Sequence, residues 1–157
     1  MPKNIKPFAK IPSDDVIKGI NPPEGYEPIV SNSPFGWRSG PLFEKKTTDG
    51  WLRGFRVLEN HCNVGGFCHG GMIMTFADIV MSRAVLEKAD RPFVTVRMVT
   101  DFTGPAALGD WVTGHARICG LEGSLVSLNG EICVDNTPIA GLNAVFKIMG
   151  SNTRVQS

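Results

Sequence analysis

The 157-residue sequence lacks the features that mark several protein classes. No apolar run approaches the ~18 residues needed to span a bilayer, and residues 1–10 contain no apolar core of a secretory signal. The sequence has sixteen Lys and Arg and fifteen Asp and Glu, which gives a net charge of +1. No basic excess therefore indicates binding to nucleic acid or to a membrane surface. We therefore expect a cytoplasmic protein that binds neither nucleic acid nor membrane.

Common catalytic and metal-binding motifs are also missing. No Cys-x-x-Cys pair occurs, and we predict reduced thiols. The neighbours His61-Cys62 and Cys68-His69 rarely fit tetrahedral zinc geometry, so no metal site is predicted. A Cys68 nucleophile is disfavoured because the adjacent His69 is badly placed to act as its base. No Gly-x-Ser-x-Gly elbow is present, and no Gly-Lys-Ser/Thr completes a phosphate-binding loop.

The dominant feature is a glycine-rich loop that leads directly into a long apolar helix. The loop lies within residues 63–71, and the helix is predicted over 69–88. From Met72 to Leu86 only Asp78 and Arg83 are charged, and a helix that is apolar on nearly every side is expected to be buried. A carboxylate within a buried helix is costly unless it is paired or hydrogen-bonded, which makes Asp78 the first functional candidate.

The segments around this helix predict an antiparallel sheet. A hairpin is expected over 42–58, because Asp49-Gly50 between alternating segments is a strong turn signal. After the helix, β-branched and aromatic residues predict four strands joined by short turns, over 93–102, 111–118, 124–134 and 139–149. This order predicts an α+β domain in which a single helix covers one face of the sheet.

Residues 1–36 are predicted to form an irregular arm. They carry seven of the eleven prolines. One short helix is expected over 13–19, with Ser13 as its cap and Gly19 as its stop. The folded domain is expected over 37–150 and a flexible tail over 151–157. The arm is expected to pack over the domain or over a partner subunit, and no chemistry is assigned to it.

The pattern N-x5-H-G-G-x6-D over residues 63–78 resembles the phenylacetate-pathway (PaaI-type) acyl-CoA thioesterases. The likeness covers roughly residues 40–149. It includes Thr95 near the start of the strand after the helix and the turn at 105–110. It implies the hotdog fold, in which a curled antiparallel sheet of five to six strands wraps around one long central helix.

The resemblance also implies hydrolysis of an acyl thioester, usually of coenzyme A. No cofactor is implied beyond the coenzyme A of the substrate, and the implied assembly is a homodimer or a dimer-of-dimers tetramer. Asp78 would act as general base or nucleophile, and the backbone N–H of Gly70 would be the oxyanion donor. Asn63 and His69 would shape the pocket and place the thioester carbonyl. The implied substrate-binding residues are Gly71 and Thr95.

The spacing of His69 and Asp78 constrains where such a site can form. Nine positions along one helix put them on opposite faces and ~13 Å apart along the axis. One helix therefore cannot bring both groups to one reacting centre. Two antiparallel helices related by a two-fold axis would place Asp78 of one subunit near the helix start of the other. If both groups act, the spacing predicts two equivalent composite sites at a dimer interface.

Structural explanations remain open for the same residues. The glycines could serve a tight loop, His69 could cap the helix or lie in the core, and Asn63 could be a turn residue. Asp78 could instead pair with Arg83 or with Arg97. A hotdog hydratase is a second enzymatic alternative, although its usual pattern differs. A non-catalytic acyl-CoA-binding or regulatory module would keep the loop and the pocket without needing Asp78.

Overall fold

A curled antiparallel sheet packs around one long helix in the computed structural model, which describes residues 10–31 and 33–150. The helices are α1 (Asp14–Ile20), α2 (Pro34–Arg38) and α3 (Gly70–Leu86), with a 3-10 turn at Glu59–His61. The strands are β1 (Glu27–Pro28), β2 (Phe43–Thr47), β3 (Gly50–Arg56), β4 (Phe93–Phe102), β5 (Trp111–Glu122), β6 (Leu125–Val134) and β7 (Thr137–Ile148). None of the helices in these residues is long and apolar enough to cross a membrane.

The sheet confirms the predicted hotdog architecture. Its order is β1-β2-β3-β5-β6-β7-β4, so β4 lies at an edge although it follows α3 directly in the chain. The described residues form seven strands rather than five or six. The additional strand, β1, is a two-residue segment of the arm that pairs with the start of β2. Pro28 is tolerated there because an edge strand can lack one N–H without losing a ladder bond.

The arm has more regular structure than expected. Ser13 caps α1 as predicted, with its Oγ accepting the Val16 N–H at 3.4 Å. The helix continues through Gly19 to Ile20 and is closed by the C-cap Asn21, whose φ is 50°. The predicted stop at Gly19 is therefore wrong, because Asn also adopts the left-handed conformation that closes a helix.

The helix α2 crosses the boundary expected between arm and domain. Its N-cap is Ser33, whose Oγ accepts the Gly36 N–H at 3.1 Å. Pro34 occupies the first helical position, where its fixed φ suits a helix and its missing N–H costs nothing. Residues 1–9 and the predicted tail at 151–157 lie outside the described residues.

The central helix packs on the sheet through one side only. That side is buried and consists of Ile73, Phe76, Ala77, Val80, Met81 and Val85. Gly114 on β5 allows a close approach, because a Cβ there would lie 2.8 Å from Val80 Cγ2. The expectation of a helix buried on nearly every side is wrong, since Met74 and Leu86 are exposed on the outer side of α3. This outer side carries the first functional candidate.

Candidate functional site

A bulge in β4 follows directly after the strand residue that faces α3. Thr95 pairs with Phe146 and Arg97 pairs with Val145, so Val96 is an extra residue in the strand. A bulge of this kind shifts the alternation of side chains by one position. Phe93 and Met98 therefore both pack against the core, although a regular strand would point them to opposite faces. Thr95 lies between them and faces α3.

Thr95 donates a hydrogen bond to Asp78. Its Oγ1 lies 2.6 Å from Asp78 Oδ1, a length typical of a hydroxyl bound to a carboxylate. Asp78 is half-buried, which corrects the expectation of a fully buried acid: the side of α3 that carries it is not covered by the sheet. Within the described residues its second oxygen, Oδ2, accepts no hydrogen bond and remains available to a water molecule or a substrate.

The alternative of an ion pair with Asp78 is wrong within the described chain. Arg83 instead approaches Glu44, with Nε 3.4 Å from Oε2. Its guanidinium also lies 4.0 Å from the ring centre of Trp51. Arg97 forms no salt bridge with Asp78 either. The carboxylate therefore has a hydroxyl partner and no cationic partner in the part of the protein that the structure describes.

The start of α3 is organised by His69. This residue is the N-cap, and its Nδ1 accepts the Gly71 N–H at 2.9 Å. A Cβ at residue 71 would lie 3.0 Å from that nitrogen, so Gly71 gives the ring room to fold back. Because Nδ1 accepts, the proton of a neutral imidazole lies on Nε2, which donates to no acceptor among the residues that the structure describes. The capping alternative for His69 fits the structure, and its predicted role in placing a carbonyl stays open.

The Gly70 N–H is unpaired in the described part of the chain. Gly70 is the first residue of α3, where an N–H has no acceptor within the helix. A Cβ at residue 70 would lie 3.4 Å from Phe102 Cζ. The end of β4 thus lies beside the helix start, and the amide is positioned to donate to a partially negative oxygen.

Asn63 shapes the glycine loop from within. Its Oδ1 accepts the N–H groups of Gly65 at 2.9 Å and Phe67 at 3.3 Å, and its own N–H donates to the Phe67 carbonyl at 2.8 Å. These are the contacts of a turn residue. Asn63 therefore acts on the helix start through the shape of the loop in this structure, and its predicted catalytic role remains a prediction.

The cysteine of the loop is unsuited to act as a nucleophile. Cys68 is buried, and burial, assisted by Cys62, raises the pKa of its thiol to about 12. The thiolate is the reactive form, and it is essentially absent at neutral pH.

A cavity of about 640 Å³ lies against Asp78. One wall is the outer side of α3, where Met74, Ile79 and Leu86 contribute apolar surface. The opposite wall comes from the arm and the residues directly after it and includes Phe35 and Trp37, for which the sequence predicts no chemistry. The signal that could have drawn attention to them is the helix start Ser33-Pro34 followed by two aromatic residues.

Within one chain the predicted site residues form two groups. Asp78 and Thr95 form the first group. Asn63, His69, Gly70 and Gly71 form the second, at the start of α3. Nine positions of helix separate Asp78 from His69, or ~13 Å along the axis. A single chain therefore does not bring the acid to the free amide.

Comparison with known proteins gives consistent results. Residues 65–139 match the sequence model of the thioesterase superfamily. A Pseudomonas aeruginosa protein named "Putative esterase PA0474" is 32% identical over 132 residues, covering 82% of this chain and 98% of that protein. A mutant form of the phenylacetic acid degradation protein PaaI from Thermus thermophilus has a TM-score of 0.67 at 19% identity, covering 74% of this chain and 100% of that chain. A hypothetical thioesterase protein from Streptococcus pneumoniae, solved with coenzyme A, has a TM-score of 0.63 at 16% identity and covers 82% and 98%. These two structures have the same fold as this chain.

A second histidine, His61, holds the base of the loop. It is 3% exposed, its Nδ1 accepts the Leu58 N–H at 3.1 Å, and its carbonyl accepts the His69 N–H at 2.8 Å. Burial lowers the pKa of His61 from 6.5, an effect that the backbone of Arg56 and Ser39 partly offsets. The folded protein therefore resists protonation of this ring.

We predict that this histidine makes stability depend on pH. Below about 6.5 the unfolded chain binds a proton that folded His61 does not, so the free energy of unfolding falls as the pH drops from about 6.5 towards the lower folded pKa. Urea unfolding at pH 5.5 and 7.5 measures this slope. His61→Gln should flatten it, whereas His115→Gln, at an exposed position, should leave it unchanged. An unaltered slope in His61→Gln contradicts the prediction.

Proposed function

Because this chain belongs to the thioesterase superfamily, we propose that it hydrolyses an acyl thioester of coenzyme A. The observation that carries the proposal is the 2.6 Å hydrogen bond from Thr95 to Asp78, which orients a carboxylate towards a cavity of about 640 Å³. The Streptococcus pneumoniae protein of the same fold that was solved with coenzyme A supports the choice of thioester.

Asp78 is the proposed base or nucleophile. With Oδ1 held by Thr95, Oδ2 is free to take a proton from a water molecule as that water attacks the thioester carbonyl. Direct attack by Oδ2 would instead form a mixed anhydride that water then opens. In both routes the C–S bond breaks, and coenzyme A leaves as the thiolate and takes up a proton.

The Gly70 amide is the proposed oxyanion donor. Attack on the carbonyl develops negative charge on its oxygen, and a free N–H at a helix N-terminus stabilises that charge through a hydrogen bond and through the helix dipole. The Nε2–H of His69, the cap of the same helix, is a second donor on this side of the site.

The edge strand β4 supports a composite site between two chains. It pairs with β7 on one side and is the last strand in the sheet, and it carries exposed Val94 and Val96. A long apolar edge of this kind is a template for pairing with another strand. We propose that two copies of β4 pair antiparallel across a two-fold axis.

This pairing would bring the two groups of site residues together. Thr95, which holds Asp78, lies near the start of β4, and Phe102, which lies beside Gly70, is at its end. When two copies of a strand run antiparallel, the start of one lies beside the end of the other. Asp78 of one chain would then face the Gly70 amide of its partner, in two equivalent sites.

We predict that Asp78→Asn abolishes hydrolysis while keeping binding. The amide cannot accept the proton, so kcat for a panel of acyl-CoA esters should fall by ~10²-fold or more. Asp49→Asn, in the exposed hairpin turn, is the matched control and should retain full activity. A wild-type protein that binds acyl-CoA esters tightly and hydrolyses none of them would favour the non-catalytic module instead.

Replacement of Gly70 by proline tests the oxyanion donor. Proline deletes the N–H at the first helical position, where it is well tolerated, and His69 already has the extended conformation that precedes proline (φ −63°, ψ 136°). We predict a fall in kcat of ~10²- to 10³-fold with an unchanged melting temperature. Gly70→Ala keeps the N–H and adds a Cβ at contact distance from Phe102, so it should cost at most a few-fold. Equal activities of the two variants would rule out the Gly70 amide as the oxyanion donor.

Mixing the two inactive variants tests the composite site. In a heterodimer of Asp78→Asn and Gly70→Pro chains, one site contains both substitutions and the other contains neither. After co-refolding in equal amounts, half of the dimers are mixed and half of their sites intact, so about a quarter of the wild-type activity should return. Activity that stays at the mean of the two variants would place both groups of one site in the same chain.

A further inference from the structure

We propose that the arm supplies the wall of the acyl-binding pocket and that the acyl group it selects is uncharged, apolar and several carbons long. This inference rests on the proposed function, because Asp78 marks where the thioester carbonyl lies. The arm residues concerned all precede residues 65–139, the part of the chain that matches the superfamily.

The cavity beside Asp78 is enclosed by apolar groups on two sides. On the α3 side they are Met74, Ile79 and Leu86. On the other side they are Ile29 and Phe35 from the arm and, directly after the arm, Trp37, Pro41 and Leu42. Its volume of about 640 Å³ falls in the range of small-molecule pockets. A pocket with this lining gains most from a ligand that removes apolar surface from water.

The charges around the cavity disfavour an acidic acyl group. Among the described lining residues the charged ones are Asp78 and Arg53. The Arg53 guanidinium already binds Glu44 Oε2 at 3.1 and 3.3 Å and the Ile79 carbonyl at 2.7 Å. Three of its five N–H donors are therefore already engaged within the protein, and Asp78 would repel an acyl carboxylate. We therefore expect dicarboxylic acyl groups such as succinyl to be disfavoured.

The length of the α3 wall sets an upper limit on the acyl chain. Leu86 lies eight residues beyond Asp78 in the helix, or ~12 Å along the axis. An extended chain advances ~1.2 Å per bond, judged from ~3.5 Å for the three bonds of an extended residue. An acyl chain that runs from Asp78 towards Leu86 therefore has room for about ten bonds.

Phe35 is held at the pocket by a short, well-capped helix. Ser33 caps α2 through the Gly36 N–H at 3.1 Å, and the Ser39 hydroxyl donates to the Phe35 carbonyl at 3.1 Å. Although it lines the cavity, the Phe35 side chain is 63% exposed. An aromatic side chain this exposed contributes little to folding, whereas a ligand in the cavity would cover it. Phe35 is thus the proposed specificity-determining residue.

Hydrolysis of a graded series of CoA esters by the full-length protein tests this inference. The series runs from acetyl through butyryl and hexanoyl to octanoyl, with succinyl as the charged member. In Phe35→Ala, kcat/KM for octanoyl-CoA should fall roughly 10-fold, as expected for losing one aromatic contact. The value of kcat/KM for acetyl-CoA should stay within about two-fold of the wild-type value. Leu86→Trp should move the preference to shorter chains by filling the far end. Leu121→Ala, at an exposed position outside the cavity, should leave kcat/KM unchanged for every ester of the series.

Calorimetric titration separates failure of this inference from failure of the proposed function. The ligands are octanoyl-CoA and free coenzyme A, and the proteins are Asp78→Asn and Asp78→Asn/Phe35→Ala. If no ester is hydrolysed but octanoyl-CoA binding depends on Phe35, the assignment of the acyl-binding pocket is supported and the proposed activity is wrong. If esters are hydrolysed with a preference that ignores both Phe35→Ala and Leu86→Trp, or if succinyl-CoA is the preferred substrate, the activity stands and the pocket assignment is wrong.

Discussion

The bulge at Val96 allows one edge strand to serve both the core and the candidate site. Without the extra residue, a strand that buries Phe93 would point Met98 away from the core, because side chains alternate. With it, Phe93 and Met98 both pack inward, and Thr95 reaches Asp78. Bulges are frequent beside functional sites because they re-aim a side chain without ending the pairing. The bulge thus lets β4 keep Thr95 at the acid and still bury Met98 further along the strand.

The helix α3 has two sides with different tasks. Its inner side is fixed against the sheet by Phe76 and Val80, which meet β5 where Gly114 offers no side chain. That contact is rigid, since closely packed interiors tolerate little change in volume. The outer side can therefore carry a half-buried carboxylate and exposed apolar groups without loss of position. The arm covers part of this outer side and leaves a cavity in between.

Strong local patterns predicted most of the fold. The strand at 93–102 and the helix that starts beside His69 have the predicted limits or nearly so, because a long patterned segment leaves few alternatives. The bulge at Val96 could not be predicted, since no glycine or proline marks it. The half-exposed position of Asp78 could not be predicted, because a side of α3 that faces a cavity is as apolar in sequence as a side that faces the core. The part of the arm in the cavity wall could not be predicted, because it meets α3 across that cavity only in the folded chain, and local sequence does not say which surface an arm covers.

Separating the acid from the amide along one helix has a physical advantage in the proposed site. A carboxylate placed at the N-terminus of its own helix would be stabilised by the dipole and would occupy the free N–H groups. It would then be a weaker base and would compete with the oxyanion for the same donors. Asp78 lies in the third turn of α3, where the dipole has little effect, and takes its hydrogen bond from a strand instead. The Gly70 amide stays open for a substrate oxygen, and one helix sequence can then provide both the base and the oxyanion donor when a second copy completes the site.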